Sequence, residues 1–87
     1  MLTSREEAFR VITLERNYQD LLTPSRVEPS ERPHSVGEEL VMLDTYIRKA
    51  KDAYTGKPGN IAALHEIRKI AALAVRCMEN HGSLERV

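Results

Sequence analysis

The sequence predicts an all-α fold: a short N-terminal helix, a Pro-rich loop, then a long antiparallel helical hairpin, the whole assembled into a homo-oligomer. Three observations carry that expectation. Apolar residues recur at three- and four-residue steps in three separate stretches. Capping and helix-breaking residues fall between those stretches. The apolar content is aliphatic, with one Phe, three Tyr and no Trp, so any core must be built of Leu, Ile, Val, Ala and Met. At 87 residues the chain is one domain, close to the size at which a single protomer can barely bury enough apolar surface to offset its lost conformational entropy.

The first helix is expected over 4–22. Ser4 and Glu7 have the spacing of a capping box, and Ala8, Val11, Leu14, Tyr18, Leu21 and Leu22 form one stripe with charges between them. The loop over 23–35, TPSRVEPSERPHS, contains three prolines and four charges and cannot propagate a helix. Ser35 and Glu38 repeat the capping-box spacing and open a second helix over 36–54. Val36, Leu40, Leu43, Ile47, Ala50 and Tyr54 step by 4, 3, 4, 3 and 4, a seam of the coiled-coil type, and Met42, Tyr46 and Ala53 widen it. A turn over 55–59 follows, with Gly56 expected as a left-handed cap. Asn60 is suited to cap a third helix over 60–81, which Gly82 stops. Its seam is Leu64, Ile67, Ala71, Ala74 and Met78, broadened by Ala63, Ile70, Val75 and Cys77. The short turn between two seamed helices implies the hairpin. Together the two arcs exceed what one partner helix covers, which predicts self-association.

Charge and composition exclude several functions. Thirteen basic residues balance thirteen acidic ones, unlike a general nucleic-acid binder, so any anion site is local. A lone cysteine, Cys77, forms no internal disulfide, and His34, His65 and His81 lack metal-ligand spacing; no metal and no cofactor is expected. No run approaches the ~18 apolar residues of a membrane span, and the start MLTSREEAF has no apolar leader core, so a soluble, cytoplasmic protein without a membrane partner is expected. No Walker pattern or catalytic triad is present, and Cys77 lies on an apolar helix side as a packed thiol.

One candidate ligand site remains. Placed at ~100° per residue, Lys51 and Lys49 border opposite edges of the second helix's apolar arc, and Arg68 borders that of the third. Lys57 lies in the turn beside the third helix's N-terminus, where free N–H groups favour an anion. Lys49, Lys51, Lys57 and Arg68, with Tyr46 or Tyr54 stacking on a base, would bind a small phosphorylated ligand. His65, Lys69 and Arg76 fall on the polar face, and Arg48 faces out between Asp44 and Asp52. Glu39 projects into the apolar arc, where a carboxylate needs a cation; Arg68, His34 or a residue of another protomer are the candidates.

The segments ERNYQDLL, HSVGEELVMLDTYIRKAKDAY and PGNIAALHEIRKIAALAVRCMENHG resemble a group of small phage and prophage proteins. In architecture the chain is similar to phage nucleotide sponges directed against CBASS and Thoeris defence, oligomers with an N-terminal helix and a long hairpin. That resemblance implies anti-defence sequestration of a cyclic or other phosphorylated nucleotide signal without cleavage. The E-E-L start is also similar to the all-α MazG-like pyrophosphohydrolases, which would imply Mg²⁺ held by Glu38, Glu39 and Asp44. The match departs from the E-E-x-x-E and E-x-x-D pattern: Met42 or Leu43 stands where an acid is needed, and Lys69 follows Glu66 in place of Asp. A helical protein-interaction module is the third expectation.

Overall fold

The computed structural model describes residues 2–22, 34–56 and 59–86. They form three helices, α1 (Arg5–Leu22), α2 (Val36–Thr55) and α3 (Gly59–His81), with no strand among the described residues. Residues 23–33, most of the expected loop, lie outside the described residues, as does Lys57 of the expected site.

The helix ends show how local sequence becomes local structure. At α2 both halves of the capping box form: Ser35 Oγ accepts from the Glu38 N–H at 3.1 Å, and the Ser35 N–H donates to Glu38 Oε1 at 3.0 Å. At α1 only one half forms. Ser4 Oγ accepts from the Glu7 N–H at 3.0 Å, but the Glu7 carboxylate turns to Arg10, whose guanidinium offers it a two-pronged, charge-assisted pair one turn on. The hydrogen bonds from Arg10, with its positive charge, hold the Glu7 carboxyl below its ordinary value, against the opposing effect of desolvation.

Gly56 is not the left-handed cap its type suggests. Its φ is −89°, and its N–H closes a tight turn on Ala53 O at 3.1 Å while Thr55 Oγ1 donates to Asp52 O at 2.8 Å. Those bonds satisfy two of the last four carbonyls of α2 without reversing φ. The left-handed position is Gly82, φ 124°, whose N–H donates to Met78 O at 2.8 Å and ends α3. α3 already begins at Gly59, so Asn60 lies within its first turn. Gly59 is needed for closeness rather than dihedral freedom: a Cβ there would run into the Tyr54 carbonyl.

α3 is the central element. It packs against α2 and α1, while among the described residues α1 and α2 do not meet. Glu39 near the start of α2 lies against Arg76 near the end of α3, and Tyr54 near the end of α2 lies against Gly59. Ala72 and Leu73 are the buried apolar residues among those described, and Glu39 is the buried acid.

The arc of α2 turned inward is only partly the expected seam: Leu43 and Ala50 of the seam, with Glu39, Met42, Tyr46 and Ala53 beside it, are buried or half-buried, whereas Val36, Leu40, Ile47 and Tyr54 of the seam are exposed. The rotation follows from the ion pair: Glu39 can be buried only where it reaches Arg76, and that brings its own side of α2 against α3. The seam is thereby left open beside the contact, with Leu40 59% and, on α3, Leu64 62% exposed.

Two ion pairs tie α1 to α3. Glu15 accepts from Arg68 at 2.7 Å, and Arg16 donates to Glu79 and Asp20, each at 2.6 Å. Burial pulls the Arg16 guanidinium down, but its bonds to Glu79 and Asp20 outweigh that and hold it above its ordinary value. Of the expected α1 stripe, Val11 is half-buried, while Ala8, Leu14, Tyr18, Leu21 and Leu22 stay exposed.

Candidate functional site

The open seams of α2 and α3 lie on one side of the pair and meet in a groove. Ile47, Ala50 and Tyr54 line it from α2, and Ala63, Ile67 and Ile70 from α3, with Lys51 and Thr55 also contributing. The groove encloses about 460 Å³, and Lys51 is its one charged residue among those described. The small side chains Ala50 and Ala63 form a depression that the longer Ile and Tyr side chains bound, a shape suited to receive projecting apolar groups.

Of the six residues expected to bind a ligand, the structure brings two into this groove, Lys51 and Tyr54. Tyr46 and Lys49 are engaged with each other, the ammonium lying 4.7 Å from the ring centroid. Arg68 is turned toward α1, where it donates to Glu15 at 2.7 Å, and it also donates to His65 Nδ1 at 2.6 Å. The groove is therefore mainly an apolar surface with one cation and one phenol.

Glu39 takes a partner that sequence reasoning placed elsewhere. Its Oε2 accepts from Arg76 Nη2 at 3.2 Å; neither Arg68 nor His34 reaches it. Arg76 also approaches Met42 Sδ at 3.9 Å and is only 24% exposed, so the expected polar-face position gives way to an inward one. A signal for this exists in the sequence: Glu39 stands seventeen residues before Gly56 and Arg76 seventeen after Gly59, equally far from the turn. Glu15, the partner of Arg68, was the other residue missed, and nothing in its local spacing points to a residue 53 positions away.

The acids that a pyrophosphohydrolase would use are dispersed among other tasks. Glu38 closes the α2 capping box and approaches His34 at 3.5 Å, Glu39 holds Arg76, and Asp44 accepts from Arg48 at 3.1 Å on the surface. Among the described residues no three His, Cys, Asp or Glu side chains stand together in a way that could hold a metal ion. Nor is any described helix long and apolar enough to cross a membrane. Comparison of the chain with protein-family models, curated proteins and solved structures returns no match.

Proposed function

We propose that the chain is a helical interaction module, in which α2 and α3 act as a hairpin that presents one apolar face to a partner protein. The observation that carries this reading is the groove's lining, six apolar or aromatic residues around a single lysine. Burying such a face removes apolar surface at about 25 cal/mol per Å², a gain that a charged small molecule could not exploit. A nucleotide would need several cations at its phosphates, and Arg68 and Lys49 are already engaged.

Sequestration of a phosphorylated nucleotide, as in the phage sponges, is the second reading. It is favoured by the presence of Lys51 and Tyr54 in one groove, a cation for a phosphate and a ring for a base.

One experiment separates the two. The protein is dialysed against linear and cyclic nucleotides with and without Mg²⁺, and in parallel titrated with the apolar dye bis-ANS. The interaction module retains no nucleotide and binds the dye at a site that Ile67→Glu removes. Intact nucleotide recovered from heat-denatured protein overturns the first reading in favour of the second, and Mg²⁺-dependent pyrophosphate release overturns both.

A further inference from the structure

Resting on the interaction-module reading, we infer that the occupant of the α2–α3 face is a second copy of the same chain, docked face to face so that α2 runs antiparallel to the partner's α2 about Ile47. Three observations converge on that occupant.

The first is area. On the α2–α3 face Leu40, Ile47 and Tyr54 of α2 and Leu64 and Ile67 of α3 are each more than two-fifths exposed, apolar area that a second copy would cover. The second is the absence of a net charge to oppose the approach of identical chains, thirteen positive residues balancing thirteen negative ones. The third is charge order along the rim. Asp44 precedes Ile47 by three residues and Lys51 follows it by four, and at ~100° per residue both fall along the same outer edge of the exposed seam. A two-fold axis near Ile47 exchanges the two positions, so each copy's Lys51 meets the other's Asp44. Lys51 forms no ion pair among the described residues, and Asp44 is held only by an exposed contact to Arg48. A parallel or offset arrangement would lose this complementarity.

The test is a charge exchange read by sedimentation velocity on the full chain. Lys51→Glu puts an acid opposite the partner's Asp44 in both symmetry-related contacts, and Asp44→Lys puts two lysines together. Each variant alone should self-associate about tenfold more weakly than the unaltered chain. Mixed in equal amounts they should restore it. In the mixed pair the acid introduced at position 51 faces the lysine introduced at position 44, and at the other contact the unaltered Asp44 faces the unaltered Lys51. Both positions are on the surface, so circular dichroism should show unchanged helix content. A mixture that associates no better than either variant overturns the antiparallel arrangement. A chain that stays monomeric at all concentrations, yet binds bis-ANS in a manner sensitive to Ile67→Glu, overturns the second-copy inference while leaving the interaction face intact; loss of the dye site as well removes both.

Discussion

Glu39, 1% exposed, accepts from Arg76 at 3.2 Å and ties the start of α2 to the end of α3. Its other oxygen, Oε1, has no hydrogen-bond partner among the described residues. Removing Arg76 would therefore leave an uncompensated carboxylate in the α2–α3 contact. Arg76→Leu should lower stability by about 3 kcal/mol, whereas Glu39→Leu combined with Arg76→Leu should recover most of that loss. Urea denaturation of the two variants checks this: equal loss in both would mean that packing, not charge pairing, sets the cost.

Ser35 supplies the cap that starts α2, and both bonds of the box are formed. Ser35→Ala should cost about 1 kcal/mol, visible as a lowered thermal midpoint. Ser4→Ala should cost less, because at α1 only one of the two bonds exists.

Gly59 is fixed by closeness to the Tyr54 carbonyl. Gly59→Ala should destabilise by about 1–3 kcal/mol despite alanine's better helix propensity, since backbone must shift to admit the methyl group. A stabilised Gly59→Ala protein would show that the turn relaxes freely.

The Glu7 carboxyl is held low by Arg10. Its folded value lies below the 4.5 of the free side chain, so the unfolded state takes up the proton first. The contribution is fully present above pH 4.5 and is lost as pH falls through the folded value. An acid titration of helicity should show Glu7→Gln less helical than the unaltered chain near neutrality, with the two curves converging below that pH.

Helical class was legible because its signals are local: apolar steps of three and four, a serine three residues before a glutamate, glycine after the last periodic position. Rotation of the helices was not. The seam from Val36 to Tyr54 reads as the natural contact, yet α3 takes only part of it, with the arc beside it, because Glu39 must meet Arg76. The candidate site divided for the same reason. Lys51 and Tyr54 follow from periodicity and share the groove, while Arg68 is captured by Glu15 on a helix that wheel geometry does not place.

The most direct test of the α2–α3 face as the surface on which two copies meet is a methyl NMR dilution series on isoleucine-labelled protein. Ile47 and Ile67 line the groove, whereas Ile12 lies on α1 away from it. From micromolar to millimolar concentration the methyl signals of Ile47 and Ile67 should shift together while that of Ile12 holds still. Static groove signals, or movement led by Ile12, would contradict that role for the face.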